Sequence, residues 1–299
     1  MKTFFKIIAL FIIIQWLGCG KSTEKTEQAY IDQINQWHQE RVERLTSKTG
    51  WMSLAGLFWL NEGDNTFGAD SSNDIIFPTG KAPDFMGAFI LESGVVHVKI
   101  LPTVKVLLDG KPITDIDMKS DTEGAPTILS YGTLSWYIIK RSDNLAVRLR
   151  DSTNVNLQKF HGIERYPVNS SWRLQATFEA YNPQKSISIP TILGTEDEEP
   201  SPGALVFKIK NKNYRLDVMG DINDEQFFVI FGDLTNKDET YQSGRYIYVE
   251  NPGNGGKTII DFNKAYNPPC AFTEFATCPF PPEQNHLPLK IEAGEKRYH

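Results

Sequence analysis

From Trp51 onward the chain is divided by turn signals into short apolar runs, and this rhythm constrains the fold more than any other feature. Candidate strands are 75–77, 88–91, 95–100, 104–108, 128–131, 134–140 and 146–150. After a less regular stretch come 172–181, 186–193, 205–210, 214–218, 227–232, 245–250 and 258–262. Gly63-Asp64-Asn65, Ser93-Gly94, Asp109-Gly110 and Asp143-Asn144 break the first series, and Asn211-Lys212-Asn213 marks a hairpin in the second. Such residues supply the backbone conformations that tight reversals need. Strands this frequent, with no helices between them, argue for antiparallel sandwich or barrel lobes over residues 50–150 and 151–299. The acidic, proline-containing stretch 196–202 reads as a solvated loop.

One helix precedes the strands. Between residues 27 and 49, Tyr30, Ile31, Ile34, Trp37, Val42 and Leu45 recur at helical spacing among Gln, Glu and Arg, and Gly50 ends the pattern. An apolar stripe of this kind packs on a protein body. The expected fold class is therefore mainly β: two antiparallel β-sandwich or barrel lobes preceded by one α-helix.

The N-terminus carries a different kind of signal. Lys2 and Lys6 flank the start of an apolar run, 7–14, and Gly18 precedes Cys19. These are the parts of an export signal, and the run is shorter than the roughly 20 residues a spanning helix needs. Residues 1–18 read as a cleavable signal, Cys19 as the lipid-bearing first residue and 19–26 as a polar tether. The expected location is the cell envelope, lipid-anchored and facing the periplasm or the exterior, with acyl chains as the membrane contact. Two of the 31 basic residues and none of the 37 acidic ones lie in the signal, which leaves a formal charge of −8. That balance argues against nucleic acid and against an electrostatic grip on anionic lipid.

Two resemblances add to this reading. Gly63, Phe67-Gly68 and Ser72-Asn73-Asp74-Ile75, with Val106-Leu107-Leu108-Asp109-Gly110-Lys111-Pro112, resemble the opening and a later turn of forkhead-associated domains over residues 57–141. The resemblance implies a β-sandwich for the first lobe. Ala69 stands where that family places an Arg, no Ser-x-x-His follows Pro78, and Asp109 replaces an Asn. Without the charge-pairing Arg, phosphopeptide recognition is disfavoured. Gly50-Trp51-Met52-Ser53-Leu54-Ala55-Gly56-Leu57-Phe58-Trp59-Leu60 and Asp261-Phe262-Asn263-Lys264-Ala265-Tyr266-Asn267-Pro268-Pro269-Cys270-Ala271-Phe272, continuing to Cys278, Pro279 and Asn285, are similar to the bacterial family catalogued as domain of unknown function 1684. That resemblance spans nearly the whole mature chain and implies no established activity.

Chemistry is most concentrated in 261–285. Cys270 and Cys278 are the only cysteines besides Cys19. In an oxidising compartment they pair most simply as a disulfide. Zinc with His286 and a redox dithiol are the competing readings, but the spacing suits neither, so no metal or cofactor is expected. Pro268, Pro269, Pro279, Pro281 and Pro282 disfavour regular structure, and a long irregular segment closing one mouth of a β lobe suits a pocket wall. Arg245, Tyr266, Cys270, Thr273 and Cys278 are candidate ligand contacts for a small polar or anionic molecule. Arg245 has a competing reading as an edge-strand residue paired with Glu239. A hydrolase using Asp261 with Asn263, Asn267 and Asn285 is the enzymatic alternative, with Glu274 and His161 as other candidate bases. A protein-interaction module is the third reading. The sequence holds no Gly-x-Ser-x-Gly elbow, no His-Glu-x-x-His and no phosphate-binding loop.

Overall fold

The computed structural model describes residues 19–253 and 256–298, the first six by their helical backbone alone. The expected signal peptide, residues 1–18, lies outside the described residues, as does the side chain of Cys19. Helix α1 runs Cys19–Thr46, so the stretch read as a tether is helical. Gln28–Asp32, Gln36–Glu40 and Gln39–Glu43 bonds, each spanning one turn, support its solvent side. Ile34 and Leu45 are buried on the other.

Eleven strands follow: β1 (Leu54–Trp59), β2 (Gly63–Gly68), β3 (Ile75–Ile76), β4 (Gly87–Glu92), β5 (Val95–Ile100), β6 (Val106–Leu108), β7 (Lys111–Ile113), β8 (Asp115–Met118), β9 (Leu129–Tyr131), β10 (Leu134–Arg141) and β11 (Asn144–Asp151). They form a six-stranded sheet, β1-β11-β10-β9-β6-β7, and a five-stranded sheet, β3-β2-β4-β5-β8. All pairings are antiparallel except the two-residue pairing of β2 with β3. Alternate residues of both sheets meet in one core around Phe67, Phe77, Phe89 and Trp136. Ser93-Gly94 and Asp109-Gly110 take positive φ, as tight two-residue hairpin turns require.

The second group begins with a short helix α2 (Val155–Lys159) and continues with β12 (Arg173–Pro190), β13 (Glu196–Ile209), β14 (Lys212–Asp217), β15 (Gln226–Phe231), β16 (Arg245–Glu250) and β17 (Lys257–Asp261). A four-stranded sheet, β14-β13-β12-β17, and the β15–β16 pair enclose Phe178, Phe207, Phe227, Phe231 and Phe262. Two strands expected separately, 172–181 and 186–193, are one long strand whose register shifts between Ala180 and Lys185. The acidic stretch 196–202 is not a loop. It pairs with 185–190, and Glu198 and Glu196 accept bonds from Ser186 and Ser188 on the solvent side. Cross-strand hydroxyls thus offset the charge that made the segment read as solvated.

Candidate functional site

Helix α1, the β15–β16 ribbon, β17 and the segment after it surround a cleft of ≈ 770 Å³. Trp37, Arg41 and Arg44 face it from the helix, at the spacing that puts side chains on one helical face. Tyr246 and Tyr248 come from β16, and Asp261, Lys264, Tyr266, Asn267, Pro269 and Phe272 from the irregular segment. Tyr266 is central among the rings. Its centroid lies 6.5 Å from Trp37, 5.8 Å from Tyr246 and 6.4 Å from Tyr248, the last pair stacked. The Arg41 guanidinium sits over it at 4.3 Å.

Beneath these rings lies a polar support. Arg41 Nε donates to Glu295 Oε1 at 2.6 Å, and its Nη2 donates to Glu295 Oε2 and the Asn267 carbonyl. The Asn267 backbone N–H donates to Glu295 Oε2 at 2.8 Å. Its side-chain amide donates to the Lys296 carbonyl, while Oδ1 is buried without a partner. Tyr30 donates to both Asp261 oxygens at 2.9 Å, and Asp261 accepts the Asn263 N–H to start the 3-10 turn Phe262–Lys264. Burial first, then Asp261, raises the Tyr30 phenol far above its ordinary range. Burial does the same for Tyr246 and Tyr266, so these phenols are neutral.

His38 adjoins this support. Burial lowers its pKa, Arg165 and Arg41 lower it further, and Glu295 opposes them. Its folded value is below the unfolded one, so folding favours neutral His38 and stability is complete above about pH 6.5. Stability is lost as pH falls from there toward the folded value. The urea midpoint should therefore drop on acidification through that window, and His38→Gln should flatten the drop. An unchanged slope in the variant would refute the assignment.

The structure sorts the residues singled out from sequence. Asp261, Tyr266 and Asn267 line the cleft, and Asn263 bonds Asp261, Tyr30 and Asn169 beside it. Asn285 is elsewhere and structural, bonding Asp217 and Ile230 in the second core, so the proposed Asp–Asn set is not assembled around one point. Arg245 opens β16 of the two-stranded ribbon, fully buried and paired with Asp233 at 2.6 Å, not with Glu239. Glu239 instead bonds Tyr166 and Lys290. Thr273 is buried and accepts the Phe275 N–H. Glu274 is exposed, and His161 stacks on Tyr298.

Cys270 and Cys278 adjoin as free thiols, without the expected covalent bond, and the Cys270 N–H donates to Cys278 Sγ at 3.0 Å. A hydrogen bond from Cys278 holds the Cys270 thiol low, with Tyr241 assisting, and raises Cys278. Neither lines the cleft. Among the described residues no three His, Cys, Asp or Glu side chains group as a metal site requires.

Several residues were not singled out as site candidates from sequence: Arg41, Arg44, Trp51, Arg173 and Lys264 in the lining, and Glu295 behind it. The helical spacing of Trp37, Arg41 and Arg44 was the available signal; nothing local marked Glu295.

This is a mostly-β protein whose long N-terminal helix completes a cleft on its second core. Residues 158–296 match the model of a family described as a protein of unknown function, DUF1684. The match takes in the Asp261–Asn285 signature and Glu295, and stops short of the Gly50–Leu60 one. Among solved structures, the chain is similar to the solution structure of an uncharacterized protein of Haloarcula marismortui, at 26% identity over 46% of this chain and 78% of that one, with a TM-score of 0.39. It is also similar to the FhaA FHA domain, at 13% identity over 31% of this chain and 97% of that one, with a TM-score of 0.23. No curated protein matches the chain.

Proposed function

We propose that the protein binds a small anionic ligand in the cleft beneath α1. One observation carries this reading: Arg44 and Lys264 line an aromatic-walled cleft with no carboxylate within ion-pair distance among the described residues. The lining holds four basic side chains, Arg41, Arg44, Arg173 and Lys264, against two acidic ones, Glu250 and Asp261, and Glu295 behind it offsets Arg41. The whole chain is acidic, at −6, so this local surplus is set against the protein's own field. Trp37 and the half-exposed Tyr248 offer ring surface to a flat or sugar-like body, and a cleft of this size suits a small molecule. Asp261 is already engaged by Tyr30 and Asn263, which disfavours it as the base of a hydrolase.

Thermal-shift screening against phosphate- and carboxylate-bearing metabolites tests the reading. A stabilising ligand is expected, and Arg44→Ala with Lys264→Ala should weaken it about tenfold, the loss of roughly 1.4 kcal/mol. The reading fails if no anion stabilises the protein, or if the double variant binds as well.

The envelope location belongs to the same proposal. Lipid on Cys19 would hold the cleft beside a membrane, and the adjoining Cys270 and Cys278 thiols would close to a disulfide on export. Globomycin should then cause a larger precursor to accumulate. Equal precursor with and without it would exclude the anchor.

A further inference from the structure

Cys270 and Cys278 meet directly behind one wall of the cleft. Cys270 sits in the 3-10 turn Pro269–Ala271, and the residues on its two sides that reach the cleft are Pro269 and Phe272. Its N–H donates to Cys278 Sγ at 3.0 Å, although the two residues are eight positions apart. Cys278 is 3% exposed, whereas Cys270 is only partly enclosed. Tyr241 is hydrogen-bonded to the Cys270 sulfur and Tyr246 to that of Cys278.

The loop between the two thiols is tied to the cleft at both ends. At one end Phe272 packs with Leu45 and Met52, and Leu45 adjoins Arg44 on α1. At the other, Thr277 Oγ1 accepts from Arg141 and Arg148 of the six-stranded sheet. Just beyond Cys278, the Pro279 carbonyl accepts the Tyr246 hydroxyl at 2.7 Å. Tyr246 and Tyr266 in turn exchange both backbone bonds at 2.9 Å. The rings that wall the cleft therefore rest on chain from both sides of the thiol pair.

We infer that Cys270 and Cys278 form a thiol–disulfide exchange site whose closure fixes this wall and tightens binding in the cleft. Exposure gives the order of attack, Cys270 first and the enclosed Cys278 second. The hydrogen bond from Cys278 that holds the Cys270 thiol low suits the same order. The Cys270 thiolate attacks one sulfur of a small disulfide, forms a mixed disulfide and expels one thiolate. The Cys278 thiol gives up its proton to solvent and attacks Cys270 Sγ; the protein bond forms and the second thiolate leaves. The pair loses two electrons, and the small disulfide gains them as two thiols. Closing the loop removes conformations in which Pro269 and Phe272 leave the wall, and a wall already ordered costs less to bind. The tighter binding rests on the cleft being the ligand site; the exchange chemistry does not.

The test treats the full chain with oxidised glutathione and follows it by peptide mass mapping. The wild type should end with the Cys270–Cys278 bond and no retained glutathione. Cys278→Ser should stop with glutathione on Cys270, and Cys270→Ser should leave Cys278 unmodified. Hydrogen exchange then compares oxidised and reduced wild type, which needs no variant. The Asn267 and Phe272 amides, bonded to Glu295 and to the Pro269 carbonyl, should exchange several-fold more slowly once the bond has closed. Inorganic pyrophosphate, the anion probe, should bind several-fold more tightly to the oxidised form. Failure of the bond to form, glutathione settling on Cys278 first, or equal exchange in the two forms overturns the inference, as does equal pyrophosphate binding by both. If pyrophosphate binds neither form while exchange still differs, the anion reading of Arg44 and Lys264 fails and the exchange site stands.

Discussion

Replacing Arg245 by Met is expected to lower unfolding stability by ~3–5 kcal/mol, the usual cost of removing one partner from a buried ion pair. Both side chains of the Arg245–Asp233 pair are fully enclosed. Arg245 also donates to the carbonyls of Ile291 and Ala293, in the segment that closes the second core. Asp233 accepts from the Thr235 N–H and hydroxyl, so its carboxylate stays fixed and buried when the guanidinium is gone. Asp233→Asn in the Arg245→Met background should recover part of the loss, because the residual buried charge disappears while the Thr235 bonds can persist. Urea unfolding would show the effect as a lower midpoint at unchanged slope. A loss below about 1 kcal/mol would mean that solvent reaches Asp233 and that the pair is not the closure it is taken to be. The pair matters beyond stability. It ties the chain at 291–293 to β16, two residues before Glu295, which supports the first cleft.

That dependence explains what could be read from sequence. Strands β5 and β16 fall where alternation placed them, at 95–100 and 245–250, because the pattern and its flanking turn residues are local. Strand β2 was missed: Gly63-Asp64-Asn65 reads as a turn, yet Asn65 bonds the Asn61, Gly63 and Phe89 carbonyls and holds the segment extended. The start of β13 was hidden in the same way, since its partner is what makes an acidic run a strand. For the cleft, the irregular 261–272 wall was legible from its prolines and polar residues. The opposite wall was only half legible, because periodicity gives the face of α1 but not what that face meets. Arg148 of β11 was invisible: one Arg in an alternating strand becomes unusual only when the chain buries it, here to 2% exposure with no carboxylate at ion-pair distance among the described residues. Arg245 erred in the opposite sense, its chemistry being absorbed by Asp233 and by carbonyls 46 and 48 residues away.

The second large effect is expected at Arg41. Arg41→Ala removes both bonds to Glu295, the bond to the Asn267 carbonyl and the cation over Tyr266. Glu295, 1% exposed in the folded protein, then keeps the Asn267 N–H as its donor at hydrogen-bond distance among the described residues. The loss should be ~3 kcal/mol, at the lower end for a broken buried pair because the Arg41 side is partly solvated. Arg41→Lys should restore little, since an ammonium cannot span both carboxylate oxygens and the carbonyl as the planar fork does. Glu295→Gln in the Arg41→Ala background should recover stability by removing the stranded charge, which a purely steric role for Arg41 would not allow. Arg44, one turn further along the same helix, is exposed and makes no ion pair among the described residues, so Arg44→Ala should shift stability by no more than about 0.5 kcal/mol. If Arg41→Ala is equally mild, Glu295 is relieved by water and the support beneath Tyr266 is not a closed network. If the two variants diverge as expected, one arginine of the helix builds the cleft and the other is left free to meet what enters it.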